Sequence, residues 1–292
     1  MQTGDKSVAP LMFVGIKSYR IWSLMGRKKW QIEQALKLWR LTHWAKRVAY
    51  RGPFRAATGL IASEKAFTAS FIPVSEAIDI PPSVPLPREL LADFITRACN
   101  RTIIDFCPCR TGEGCEKYPR DMGCMLLGSG SMDVDPGVGH RATVEEALAY
   151  VDKAIGLGLL PLIGHIRIDR YVFGIKDYSK MLTICFCCRC CCVVRSEMGG
   201  LVSAFPESIV RLEGVHVEAG DGCTGCGQCV AVCPIENVTL ENGVAVIGER
   251  CLGCGTCAGV CDEGRLKLIV EPDAPLLEDI RRRVEAGVDI EH

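Results

Sequence analysis

Eight cysteines toward the C-terminal end fall into two matched runs, Cys223-x2-Cys226-x2-Cys229-x3-Cys233-Pro234 and Cys251-x2-Cys254-x2-Cys257-x3-Cys261. Gaps of two residues let a tight turn aim successive sulfurs inward at one small inorganic core. Gly225, Gly227, Gly253 and Gly255 stand where such a wrap needs unusual backbone angles and N–H groups pointed at sulfur. Zinc fits less well, because a ribbon site uses two CxxC pairs and leaves the cysteine three residues further on without a role. Disulfides are not expected, since no secretory signal pattern precedes the runs. The doubled spacing points to two [4Fe–4S] clusters.

Ten more cysteines cluster upstream. The first group is Cys107-Pro-Cys109-Arg-x4-Cys115-x8-Cys124, with Gly112, Gly114 and Gly123 among them. Cysteines beside Pro, Arg and Gly on a loop make a poor apolar core, so metal ligation is the better reading. The second group packs six cysteines into eight residues, Cys185-Phe-Cys187-Cys188-Arg-Cys190-Cys191-Cys192. In an extended chain Cys188, Cys190 and Cys192 would face one way and Cys185, Cys187 and Cys191 the other, whereas a turn would gather more of them into one site. Six thiols packed as mere hydrophobes would be an oxidation hazard. Ten sulfurs suffice for two further cubanes or one larger cluster, with zinc as the alternative metal. His165, after a buried run, could be a cluster ligand, a proton donor or a satisfied loop histidine; His140 is a weaker candidate. Arg110 and Arg189 could tune a cluster, bind an anion or be ordinary solvated charges.

From Cys223 to about Val270 the chain resembles a bacterial-type two-cluster ferredoxin domain. The resemblance implies one cluster on Cys223, Cys226, Cys229 and Cys261, and a second on Cys251, Cys254, Cys257 and Cys233. Asp262 departs from the proline usual after the last cysteine of a run. More widely, residues 88–270 resemble ferredoxin-fused iron–sulfur proteins of anaerobes. The shared features are Cys107 to Arg110, Cys115, Cys124, Gly164 to Asp169, Thr183 to Cys192 and the double run. This second resemblance implies iron–sulfur binding and redox work. The adjacent cysteines are also similar to the Cys-Cys element of heterodisulfide reductases, although the longer spacings of that family are missing.

Several elements must position these thiols. Five prolines between 71 and 87 exclude regular structure and suggest a strap. A helix is expected over Arg88–Ala98, and a strand, Thr102–Phe106, delivers Cys107. Thr143-Val-Glu-Glu146 is a capping box, continued by Ala147, Leu148, Val151, Ala154 and Ile155 on one face. Gly156 and Gly158 stop that helix, and Leu159–Ile163 follows as a buried strand. Asn237–Leu240, the turn Glu241-Asn242-Gly243 and Val244–Ile247 form a hairpin. The expected fold is α+β. It comprises a basic, Trp-rich helical arm (1–70), a cysteine-rich mixed α/β domain (71–215), a ferredoxin-like domain (216–271) and a C-terminal helix or tail (272–292).

At 292 residues, 48% hydrophobic and 24% charged, the chain has the make-up of a globular protein. Nineteen cysteines without a signal pattern suit a reducing, cytoplasmic setting. No uncharged run is long enough to span a bilayer. The net charge of −1 hides an asymmetry: residues 1–60 carry twelve Lys or Arg against Asp5 and Glu33, a balance of +10. Trp22, Trp30, Trp39 and Trp44 all lie in that segment. Ile32, Ala35, Leu36 and Trp39 share one helical face, while Leu41, Trp44, Ala45 and Val48 lie almost opposite. Two faces suit packing or partner docking better than a peripheral membrane contact. No nucleic-acid motif, Rossmann fingerprint or Walker loop accompanies the charge. The expected role is an electron-transfer protein or subunit that passes low-potential electrons from two C-terminal clusters to further clusters upstream. Its partners would be redox proteins, in a larger oxidoreductase complex or singly. Alternatives are a reductase with its active site at Cys185–Cys192 and His165, or a zinc-holding scaffold carrying a ferredoxin module.

Overall fold

The computed structural model describes residues 26–41, 67–72, 78–79, 87–192, 208–262 and 264–292. Trp22, Trp44, the parts of the basic arm before residue 26 and between 42 and 66, and most of the proline-rich stretch lie outside them. The upstream elements are α1 (Lys29–Leu41), β1 (Phe67–Phe71), β2 (Ile78–Asp79), α2 (Pro87–Arg97), β3 (Arg101–Ile104), α3 (Pro108–Glu113), β4 (Met125–Leu127), β5 (Gly139–Arg141), α4 (Val144–Gly156), β6 (Leu160–Ile166), α5 (Arg167–Phe173) and β7 (Leu182–Cys187). They are followed by β8 (Val215–Ala219), α6 (Gln228–Val232), β9 (Val238–Glu241), β10 (Val244–Ile247), β11 (Leu266–Val270) and α7 (Leu276–Glu285).

Six strands form one sheet in the order β1-β6-β7-β4-β3-β5. Every pairing in it is antiparallel. β3 and β6 are therefore not neighbours, since β4 and β7 stand between them. Alternation along the strands gives two covered faces. Ile103, Met125 and Leu127 pack with Leu91, Phe94 and Val151 from α2 and α4. Ile104 and Leu126 point the other way, to Ile32 of α1 and Phe173 of α5.

The expected capping box closes α4: Thr143 Oγ1 accepts from the Glu146 N–H at 3.2 Å, and Glu146 accepts from the Thr143 N–H at 2.8 Å. Two expectations need adjustment. The strand after α2 ends at Ile104, two residues early, because the chain turns there to start α3. The strand expected over Leu159–Ile163 runs on to Ile166, so Gly164 and His165 lie within β6. Pairing with Thr68 and Ala69 of β1 extends it, and a side chain at Gly164 would collide with that neighbour. On α1, Ile32 is buried and Leu36 half-buried, but Ala35 is exposed, so the inward face is narrower than the pattern suggests.

Downstream, β8 and β11 pair antiparallel, and β2 joins the outer edge of β11 in parallel. β9 and β10 form the expected hairpin, with Asn242 (φ 50°) and Gly243 (φ 78°) at its two-residue turn. Leu276, Ile280 and Val284 recur every fourth residue along α7 and are buried. Arg281 of α7 pairs with Asp93 of α2, and Arg97 with Glu291. One apolar cluster runs from α2 and α4 through β6 to Leu266, Leu268 and Ile280. Backbone hydrogen bonds from Ala69 to the Ser208 carbonyl and from Val210 to the Ala69 carbonyl add to this continuity.

Candidate metal centres

The C-terminal cysteines gather in two sets of four. Cys223, Cys226, Cys229 and Cys261 line a cavity of about 110 Å³ beneath the β9–β10 hairpin, together with Gly227, Ala245 and Leu240. Cys233, Cys251, Cys254 and Cys257 line a smaller cavity of about 20 Å³, walled by Ile235, Val238 and Ile247. In each set three cysteines come from one run and the fourth from the other.

The loops wrap as glycine spacing requires. Gly225, Gly227, Gly253 and Gly255 all have φ between 61° and 75°. At Gly225 a side chain would also stand 2.7 Å from the Gly243 carbonyl, so hairpin and loop meet only through glycine. This backbone aims N–H groups at sulfur. Cys223 accepts from Ala245 at 3.4 Å, Cys233 from Asn237 at 3.3 Å, Cys251 from Gly253 at 3.5 Å and Cys261 from Arg265 at 3.3 Å. Such donors suit a charged thiolate. Asp262, where proline is usual, accepts from Gln228 at 3.2 Å and ties the second run to α6. Burial, then neighbouring Cys254 and Cys251, pushes the Cys257 thiol up to about 12. Burial likewise raises Cys229 and Cys251. Crowded thiols of this kind ionise only around a cationic core, and the residues present therefore fit iron–sulfur ligation.

Residues 222–266 match the family model of the 4Fe-4S dicluster domain. This stretch is an iron–sulfur binding, ferredoxin-like domain within a mixed α+β chain. No curated protein and no solved structure matches the chain. Among the described residues no helix is long and apolar enough to cross a membrane.

The ten upstream cysteines come together at one end of the large sheet, from segments far apart in sequence. Cys107 caps α3, its sulfur accepting from the Arg110 N–H at 3.4 Å, with Pro108 at the first helical position. Cys-Pro-Cys is therefore a helix start and not the irregular loop its glycines suggest. Met125 pairs with Ile184 across β4 and β7, which sets Cys124 beside Cys185 with sulfurs 3.7 Å apart. Cys107, Cys109, Cys124, Cys185, Cys187, Cys188 and Cys192 line one cleft of about 20 Å³ with Arg110, Gly123 and Phe186. The strict alternation of Cys185–Cys192 fails past Cys187, where β7 ends and residues 189–191 turn. Cys191 consequently joins Cys188 and Cys190, and Cys115 completes that group. The Cys109 side chain, then burial, holds the Cys107 thiol up. Cys124 and burial do the same for Cys185. Cys115 differs: burial opposes ionisation, but the Cys191 thiol and the Tyr118 N–H outweigh it and bring the group to about 7.

Arg110 is not a solvated charge. It is buried, and its guanidinium donates to the carbonyls of Pro119 and Phe186, each at 2.8 Å, and of Met122. Burial works against its charge, yet the facing thiol groups of Cys107, Cys188 and Cys124 favour it and raise its pKa. An enclosed cation whose partners are carbonyls and thiols needs thiolate charge beside it. Arg189, the second cation singled out beside the cysteine loops, makes a contact that spacing does not reveal. From the six-cysteine turn it reaches the ferredoxin domain and donates to the Gly259 carbonyl at 3.2 Å, between Cys257 and Cys261. Its guanidinium lies over Gly259, where any larger residue would displace it.

His165 sits in β6 apart from the residues that line the cysteine cavities. Its Nε2 donates to the Tyr178 carbonyl at 3.0 Å and its ring stacks on Tyr178 at 4.2 Å. Burial lowers its pKa. His140, on the exposed edge, pairs with Asp105 at 2.6 Å. The Gly164-His165 motif contributes through Asp169, a half-buried residue whose carboxylate accepts from Thr183 at 2.7 Å, two residues before Cys185. Burial raises Asp169 to about 6.

Proposed function

We propose that this chain relays low-potential electrons from its ferredoxin-like domain to a further iron–sulfur centre at the end of the large sheet. Cys223, Cys226, Cys229 and Cys261 would hold the first cluster, and Cys233, Cys251, Cys254 and Cys257 the second. The upstream centre would draw its ligands from Cys107, Cys109, Cys124, Cys185, Cys187 and Cys192. When bound, these clusters supply one-electron transfer at potentials set by hydrogen bonding and exposure. The remaining work belongs to the protein. Backbone N–H groups stabilise the thiolates, Ile235, Val238 and Ile247 exclude water from the second set, and Arg110 supplies counter-charge upstream.

The observation that carries this reading is the Arg189–Gly259 contact, which brings the six-cysteine turn against the loop between Cys257 and Cys261. Electron tunnelling falls steeply with distance, and here the two cysteine regions are one arginine side chain apart. The donor and acceptor would be other redox proteins meeting the exposed cysteine loops, in a cytoplasmic, reducing setting. Anaerobic reconstitution followed by iron analysis and redox-titrated EPR tests the relay. The expected result is two low-potential [4Fe–4S]⁺ signals plus a third iron–sulfur signal that follows them in reduction. Iron limited to about eight per chain, four for each C-terminal cluster, would sink the upstream part of the proposal.

A further inference from the structure

Four of the upstream thiols form a group of their own. Cys188, Cys190 and Cys191 lie on the turn that ends β7, and Cys115 reaches them from the loop after α3. All four sulfurs lie within 4.8 Å of one another. Cys115 and Cys190 are 3.6 Å apart, Cys188 and Cys191 3.4 Å, and Cys190 and Cys191 3.7 Å. Among the described residues no other set of three or more His, Cys, Asp or Glu side chains brings its ligand atoms so close. The two ferredoxin-domain sets do not, although each lines a single cavity.

That difference separates a single ion from a cluster. Zinc binds thiolate at about 2.3 Å, and a regular tetrahedron of that radius has edges of about 3.8 Å. A four-iron core standing between its thiolates holds them further apart. What matches the single ion is the closure of four sulfurs within 4.8 Å of one another, which an isolated short pair such as Cys124 and Cys185 does not have. Chain geometry agrees, because Cys188 and Cys191 stand as Cys-x2-Cys on a tight turn, the local unit of tetrathiolate zinc sites. Charge agrees as well. Four thiolates around a divalent ion leave a double negative charge, and Arg110, facing Cys188, offsets part of it.

We infer that Cys115, Cys188, Cys190 and Cys191 form a mononuclear tetrathiolate site for zinc, separate from the iron–sulfur clusters. Four protein thiolates close the coordination sphere, so the ion is structural and not catalytic. It ties the turn carrying Arg189 to the loop after α3, and so holds that arginine over Gly259. The zinc site does not rest on the electron relay, because its four sulfurs stand together whether or not electrons pass between the regions.

The full chain, produced anaerobically, is analysed for both metals. About one zinc per chain is expected alongside the iron, and X-ray absorption at the zinc edge should show four sulfurs at about 2.3 Å. Cys190→Ser should lose the zinc while its iron content and EPR signals stay unchanged. Absence of zinc, a zinc shell containing nitrogen or oxygen, or a Cys190→Ser chain that loses iron in place of zinc overturns the assignment. Failure of the relay would look different, with the upstream iron signal missing and the zinc intact.

Discussion

The two cysteine-rich regions solve the same problem in opposite ways. In the ferredoxin-like domain each set of four thiols comes from two short loops, and the wrap is local: glycines at positive φ, N–H groups on sulfur, one hairpin overhead. Upstream the thiols arrive from a helix cap, two strand ends and a turn, and tertiary pairing does the gathering. The β4–β7 register alone decides that Cys124 meets Cys185. A locally wrapped site survives transplantation and leaves a recognisable spacing. A site assembled by a sheet depends on the whole fold, and its spacing looks irregular.

The largest effect that would test this contrast is ligand loss. Cys257→Ser should remove about four iron per chain and its EPR signal, since one cubane loses a ligand. The upstream iron should stay, because nothing in the β4–β7 pairing rests on Cys257. Cys187→Ser should do the converse. If Cys257→Ser also empties the upstream site, the two regions load as one unit and the comparison breaks.

Next in size is Arg110→Met. Removing one partner from a buried charged group costs about 3–5 kcal/mol, because the facing charge is left uncompensated. Anaerobic denaturant unfolding of the metal-loaded chain should show a loss in that range, together with a loss of upstream iron. The ferredoxin-domain signals should persist. Full stability in this variant would mean that the thiols facing Arg110, those of Cys107, Cys188 and Cys124, carry no charge for it to balance.

Legibility followed the same division. Four turn glycines and the β9–β10 hairpin could be read from spacing, because a wrapped loop writes its geometry into consecutive residues, while the division of eight thiols into two sets came from the ferredoxin resemblance. The capping box of α4 was equally plain. The antiparallel order of the large sheet was not, since nothing in Thr102–Phe106 or Leu159–Ile163 names its neighbour. Cys-Pro-Cys looked like a loop because proline suits both turns and first helical turns, and only the packing of α3 decides between them. His165 drew attention by following an apolar run, yet the β1 pairing keeps it inside the strand. Arg110 and Arg189 were ambiguous for one reason: burial decides what a cation does, and burial is a property of the assembled fold.

A smaller effect probes the join between the regions. Arg189→Ala should leave both metals in place and slow electron equilibration between the domains severalfold, as read by freeze-quenched EPR after rapid reduction. Gly259→Ala tests the same contact from the other side, since an added methyl would stand 2.6 Å from the guanidinium. Unchanged kinetics in both variants would remove the bridge from the relay.

The smallest expected effect concerns how α7 is held against both regions. Asp279 is buried and accepts from the Glu213 N–H at 3.1 Å, from Arg282 at 2.5 Å and from Arg283 at 2.8 Å. Burial raises its pKa, but Arg283, the Glu213 N–H and Arg282 together outweigh burial and hold it below the usual carboxylate range. A carboxyl depressed on folding contributes stability above its unfolded pKa of about 3.9, and loses it as pH falls toward the folded value. Protection of the α7 amides against hydrogen exchange should therefore hold at pH 6 and weaken below about pH 4. Asp279→Asn should cost about 1 kcal/mol of that protection at neutral pH and flatten its acid dependence. Because α7 packs through Ile280 and Val284 into the cluster shared by both regions, metal content at neutral pH should not change. A variant that loses iron would show that this helix supports a metal site as well as the fold.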